Sequence, residues 1–172
     1  MPDAEAEEIM WQGKFVTAKR QGKWEYVSRS RGIKAAVILA VEDGHVLLVE
    51  QFRVPLGKNC IELPAGLIGD QGETEDPLDA AGRELEEETG YRAAKLESLG
   101  EYYSSPGMVS ESFTLVHATG LEKVSEGGGV EDEGITPHRV ELNQLSDFIA
   151  AKRSEGCCID VRILILLGVH FI

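Results

Sequence analysis

Residues 33–41 and 45–53 constrain the fold of this 172-residue chain more than any other part of it. The first segment, Ile33-Lys34-Ala35-Ala36-Val37-Ile38-Leu39-Ala40-Val41, is apolar at every position but one. A short apolar run without alternation reads as a strand covered on both faces, because a half-wet strand would alternate polar and apolar residues. Glu42-Asp43-Gly44 is a turn signal, so 33–53 reads as a hairpin. A sheet buried on both faces needs a layer on each, which points to a layered α/β arrangement.

The rest of the chain supplies those layers. From 13 to 29, two β-rich stretches flank a turn at Arg20-Gln21-Gly22-Lys23, and residues 1–8 read as a frayed start. A short strand over 59–63 ends at Pro64-Ala65-Gly66, and a Gly-rich loop over 66–76 follows. Residues 77–89 form the clearest helix: Asp76 suits the N-cap, Pro77 the first helical position and Gly90 the C′ position. Strands are predicted over 95–103, 111–119 and 137–142, with a Gly- and Glu-rich loop over 122–134. Helical segments are predicted over 145–152 and 159–169. The irregular alternation of strands and helices favours a mixed β-sheet in an α/β/α sandwich over a regular parallel fold. The chain divides into an N-terminal β-rich segment, 1–32, and a main domain, 33–172.

The chemistry is concentrated on the predicted helix. Glu84 precedes Glu87 by three residues and Glu88 by four, so the three carboxylates share one face. Leu78, Ala81 and Leu85 form an apolar stripe that docks the helix on the core, and Glu86 points elsewhere into solvent. Like charges at this spacing repel, and hard divalent cations with oxygen ligands offset that repulsion. Arg83 can neutralise part of the cluster and orient a glutamate. The bland alternative is a solvated acidic helix. The formal net charge of −13 argues against nucleic acid or anionic membrane as partners. It is compatible with a phosphate substrate when bound divalent cations invert the local field. Cys60, Cys157 and Cys158 have no zinc spacing and read as buried or half-buried free thiols, as in a reducing cytoplasm. The acidic start lacks the regions of a signal peptide, so the expected location is cytoplasmic.

Arg83-Glu84-Leu85-x-Glu87-Glu88-x-Gly90, preceded by Gly69 and Glu75 at the matching spacing, resembles the Nudix box, G-x5-E-x7-R-E-U-x-E-E-x-G-U. Tyr91 stands where the box ends in an aliphatic residue. Glu62-Leu63-Pro64-Ala65-Gly66 also resembles a family stretch in which the box glycine follows Pro-Ala. That resemblance makes Gly66 the structural box glycine, puts a few extra residues into the loop and leaves either Glu73 or Glu75 as the loop glutamate, with spacing favouring Glu75. The resemblance implies a Nudix fold, Mg²⁺ or Mn²⁺ held by Glu84, Glu87 and Glu88 with the backbone carbonyl of Ala65, and hydrolysis of a diphosphate bond.

Segments outside the box resemble the ADP-ribose pyrophosphatase branch. They include Ser104-Ser105-Pro106-Gly107-Met108-Val109-Ser110-Glu111 and Leu48-Val49-Glu50-Gln51-Phe52-Arg53. The resemblance implies Arg53, Met108 and Glu111 as substrate-binding residues. The resemblance also implies that Trp24 or Tyr26 stacks on adenine and that the N-terminal segment is exchanged within a homodimer. It further implies Glu133, or in second place Glu131, as the general base of the loop 130–135, and the flanking Gly127-Gly128-Gly129 is expected to let that loop close over substrate. Ile159-Asp160-Val161-Arg162 resembles a family segment with lysine in place of Arg162, to which no role is assigned. The implied substrate is a nucleoside diphosphate derivative, ADP-ribose first and a GDP- or UDP-hexose second. A catalytically silent nucleotide-binding domain is the remaining alternative.

Overall fold

The computed structural model describes residues 6–69, 75–130 and 133–171. Three strands, β1 (Glu8–Gln12), β2 (Val16–Gln21) and β3 (Trp24–Arg29), form an antiparallel sheet of their own. The predicted turn joins β2 to β3 through Gly22 and Lys23, with Gln21 opposite Trp24. β1 was not foreseen. Part of it fell in the segment read as a frayed start, and its register shift between Ile9 and Trp11 breaks the alternation that marks a strand.

The main sheet holds β4 (Lys34–Glu42), β5 (His45–Arg53), β6 (Lys58–Glu62), β7 (Ala65–Ile68), β8 (Tyr91–Tyr103), β9 (Ser112–Lys123), β10 (Thr136–Glu141) and β11 (Cys158–Ile159). Its path is β11-β6-β5-β4-β9-β8, with β10 alongside β5 and β7 alongside β4. β4 runs parallel to β9 and β11 parallel to β6, so the sheet is mixed. The predicted hairpin forms at Asp43 and Gly44, both at positive φ, but β4 and β5 pair only at Val41↔Val46 and Glu42↔His45. Beyond those pairs β4 takes β7 and β9 as neighbours, and β5 takes β6 and β10. The sheet opens there, at the end away from the turn.

Helix α1 (Pro77–Thr89) covers one face and α2 (Leu145–Ser154) the other. Alternation along β4 explains the apolar run: Ala36, Ile38 and Ala40 meet Ala81 and Leu85 of α1, while Val37 and Leu39 join Leu48, Ile61 and Leu115 on the α2 side. Each fully buried aliphatic side chain contributes about 1.5–3 kcal/mol, so the two faces together hold the layers in place. The ends of α1 are as predicted. The Asp76 side chain accepts from the Leu78 N–H at 2.7 Å, Pro77 opens the helix, and Gly90 closes it at φ 76°. Two segments differ from expectation. Residues 66–68 of the predicted loop pair with β4, and the C-terminal segment is a short strand followed by a 3-10 helix, Val161–Phe171. Among the described residues no helix is long and apolar enough to cross a membrane. The three thiols are free, Cys60 buried and the other two half-buried.

Candidate active site

The open end of the sheet forms a cavity of about 630 Å³. Strand alternation supplies its floor: Gln51 and Arg53 from β5, Cys60 and Glu62 from β6, and Asp160 and Arg162 just past β11. Arg53 grips Glu62 with two bonds, Nε to Oε1 at 2.6 Å and Nη2 to Oε2 at 2.7 Å. Glu62 is only 2% exposed, and a carboxylate that deep needs such a partner. The same Glu62 raises the pKa of Arg53 above its ordinary value. The Cys60 thiol, buried next to Glu62, is pushed up to about 12 and is inert as a nucleophile at neutral pH.

Helix α1 forms the acidic wall, and its close approach to β7 depends on Gly66. A Cβ at Gly66 would lie 1.9 Å from Glu84 Cδ, so only glycine lets the Glu84 carboxylate fold against the strand. Glu88 is 4% exposed and accepts a hydrogen bond from the Ala65 N–H at 3.0 Å. Burial first, and the charges of Glu84 and Glu133 after it, push the Glu88 carboxyl up to about 8, against the Ala65 N–H and Arg53. Arg83 donates from Nη1 to Glu84 at 2.8 Å and to Glu87 at 3.1 Å, which orients both.

The three box carboxylates do not all face the cavity. Glu84 and Glu88 line it with Glu133, whereas Glu87 lines a neighbouring depression with Arg83 and Gly129. Among the described residues no three His, Cys, Asp or Glu side chains already surround one metal-sized point. Glu86, expected in solvent, keeps its side chain 39% exposed and pairs there with Arg92 through two bonds of 2.9 Å. Glu75 accepts from the Gly69 N–H at 2.9 Å and from Arg83 Nη2 at 3.3 Å, which ties the loop to the helix. Glu73 and Glu131 lie outside the described residues.

Glu133 reaches the cavity from the loop before β10, its Oε2 accepting from the Val130 N–H at 3.0 Å. The glycine run is not free to act as the expected hinge. Gly128 and Gly129 donate to the Glu88 and Glu87 carbonyls at 2.9 Å, satisfying the open end of α1. A Cβ on Gly127 would lie 2.5 Å from the Thr89 carbonyl carbon. The run is glycine because the backbone packs directly on the helix end, and this packing places Glu133 beside Glu88.

The third wall comes from the N-terminal sheet and the Ser-Pro-Gly segment. The Val27 N–H donates to the Met108 carbonyl at 2.9 Å and the Ser110 N–H to the Val27 carbonyl at 3.0 Å. That docking lets Arg29 Nε donate to Glu111, and both line the cavity with Ser104. Arg29 and Glu62 were missed as site residues. Glu62 was visible only as the residue before Leu63-Pro64-Ala65, and Arg29 only as one of several arginines near a turn. Trp24, 59% exposed, and Met108, 69% exposed, do not line the cavity within one chain. Nor does Tyr26, whose hydroxyl donates to Glu7.

The site thus combines hard carboxylate oxygens on one wall with guanidinium groups on the other two. Oxygen-only donors around a buried, mutually repelling pair suit a small divalent cation, and the arginines suit phosphate oxygens.

The sequence profile of the NUDIX domain matches residues 30–155. The methanol dehydrogenase activator of Bacillus methanolicus is 40% identical over 119 residues, 69% of this chain and 63% of that protein. The ADP-ribose pyrophosphatase of Bacillus subtilis (strain 168) is 42% identical over 118 residues, 68% of this chain and 62% of that enzyme. The match thus spans less than two thirds of either relative. The GDP-mannose pyrophosphatase of Cronobacter sakazakii is 36% identical over 146 residues, 80% of this chain and 72% of that enzyme. A crystal structure of an ADP compounds hydrolase superposes with a TM-score of 0.71 at 24% identity, covering 97% of this chain and 92% of that one, and shares its fold.

Proposed function

The chain belongs to the Nudix family, and from that membership we propose that it hydrolyses the diphosphate bond of ADP-ribose to AMP and ribose 5-phosphate. The observation that carries this reading is a single cavity holding Glu84, Glu88 and Glu133 opposite Arg53. In the proposal Glu84 and Glu88, with the Ala65 carbonyl, hold Mg²⁺ or Mn²⁺, and Glu87 completes the set by turning from Arg83. A cation bound there supplies charge neutralisation at the diphosphate oxygens. Arg83 keeps Glu84 and Glu87 oriented between turnovers. Arg53 binds a phosphoryl oxygen through Nη1, and Glu62 holds the guanidinium in position by accepting from Nε and Nη2. Glu133 takes a proton from the water that attacks phosphorus; the bridging P–O bond breaks, and the leaving phosphate carries the electron pair away.

Similarity to the Bacillus subtilis enzyme supports ADP-ribose as substrate, and similarity to the GDP-mannose enzyme supports a GDP-hexose as the second reading. Purified protein offered ADP-ribose, GDP-mannose and a UDP-hexose with Mg²⁺, with the phosphorylated products identified, decides between them. The expected result is the highest kcat/KM on ADP-ribose. Faster turnover of a hexose derivative replaces the substrate assignment, and no turnover of any of the three removes the hydrolase reading.

The working form is proposed to be a homodimer, in which the N-terminal sheet of one protomer completes the cleft of the other. Supporting this, Ile9, Met10, Trp11, Phe15 and Trp24 are all exposed on or beside that sheet. The same arrangement would bring Trp24 or Tyr26 against adenine. The location proposed is cytoplasmic.

A further inference from the structure

Arg162 reaches the cleft by an indirect route. Cys158 and Ile159 pair in parallel with Cys60 and Ile61, and the Asp160 N–H extends the ladder by donating to the Ile61 carbonyl at 3.0 Å. Asp160 then takes the Arg162 guanidinium on two bonds, Nε at 2.8 Å and Nη2 at 2.7 Å, along with the Arg162 N–H at 2.7 Å. Nη2 also reaches Glu62 at 3.3 Å, the carboxylate already engaged by Arg53. The guanidinium carbon lies 5.9 Å from the centre of the Phe113 ring.

An arginine restrained this heavily along one edge is a pre-oriented donor, and little entropy is left to lose on binding. Arg53 and Arg162 both line the cavity, and both commit Nε and Nη2 to carboxylates. Among the described residues neither Nη1 has an acceptor. Two guanidinium groups that share one buried carboxylate and keep unclaimed donors in one cavity are arranged for more than one anionic oxygen. Their order is also set. Arg53 ends β5, the strand next to β4 under α1, whereas Arg162 follows β11 at the far edge of the sheet, with Glu62 of β6 between the two. Arg162 therefore stands one group farther from the acidic helix.

Resting on the diphosphate reading above, we infer that Arg162 is a specificity-determining residue that holds the second phosphoryl group of the substrate, the one farther from Glu88. Asp160 and Glu62 orient it. The pair Arg53 and Arg162 thereby selects two adjacent phosphoryl groups over one, before any chemistry takes place.

Calorimetry on the full chain with α,β-methylene-ADP and with AMP, both in Mg²⁺, tests this without turnover. The wild type binds the diphosphate analogue more tightly than AMP. In Arg162→Ala the affinity ratio falls by about tenfold, the loss of one charge-assisted contact, while AMP affinity stays nearly unchanged. Arg162→Lys keeps the charge without the fork and recovers part of the ratio. Circular dichroism checks the fold of each variant. Should Arg162→Ala fail to fold, Arg162→Gln carries the same measurement. A ratio within threefold of wild type in the folded variant overturns the assignment, as does a wild type that binds the two ligands alike. If the ratio falls as stated but no nucleoside diphosphate derivative is hydrolysed, the phosphoryl site stands and the hydrolase reading falls.

Discussion

Glu88 is held by one backbone N–H in a place its charge disfavours. Burial and the neighbouring Glu84 and Glu133 raise its pKa to about 8. Glu88→Gln keeps an oxygen that can accept from Ala65 and removes the repulsion. Turnover is expected to fall by about 10²-fold or more, while the thermal midpoint holds or rises, read by product release and a melting curve. Normal turnover in that variant would count against the metal assignment. Glu133 lines the cavity together with Glu88, and its Oε2 accepts from the Val130 N–H. Glu133→Gln is expected to lower kcat by about 10²–10⁴-fold with substrate affinity little changed. If Glu131→Gln is the damaging change instead, the base lies two residues earlier in the loop.

At the scale of elements, the C-terminal end of α1 and the glycine run act as one unit. Gly127 sits at φ 66° against the Thr89–Gly90 peptide, so an added methyl meets both an unfavourable backbone and a 2.5 Å contact. Gly127→Ala is expected to cost about 1–3 kcal/mol in a denaturant titration and to lower turnover by moving Glu133. A second unit joins α2 to the sheet. Glu50 of β5 receives Lys152 at 2.9 Å, Asn59 at 2.9 Å and His138 at 3.1 Å. Burial alone would raise the pKa of Glu50, but these donors outweigh it and hold the carboxyl down at about 2. The folded value lies below the ordinary 4.5, so the stabilisation is complete above that pH and is lost as pH falls from 4.5 towards 2. Glu50→Gln is expected to be less stable than wild type by about 1–3 kcal/mol at neutral pH. In urea titrations across pH, that gap should close over the same acidic window; a constant gap would show that Glu50 acts through packing alone.

The whole molecule carries a net charge of −13 yet leaves six large apolar side chains exposed on or beside its first sheet. General repulsion between copies makes a specific apolar contact the natural way to cover that face. Sedimentation is expected to give twice the 18.8 kDa chain mass. If the homodimer proposed above is the working form, Trp11→Asp should shift the population towards monomer and lower turnover with it. Full activity in a monomer would separate the apolar face from catalysis.

The layered fold and the acidic helix were legible in the sequence because both rest on local rules. Continuous apolarity over 33–41 requires two covered faces, and Asp76, Pro77 and Gly90 bracket a helix whose spacing alone puts Glu84, Glu87 and Glu88 on one side. Gly66, Gly69 and Glu75 could be named from the box pattern, but why Gly66 is glycine emerges only when Glu84 folds against it. Tertiary structure alone decided which carboxylates share a cavity, turning Glu84 and Glu88 inward with Glu133 and leaving Glu87 with Arg83. It also assembled Arg29, Arg53, Glu62, Asp160 and Arg162 from segments spread between positions 29 and 162. Local periodicity fixes the direction of a side chain within its own element. Which distant side chains meet there depends on strand pairing across the sheet, as in the Cys158↔Cys60 register that carries Arg162 to Glu62.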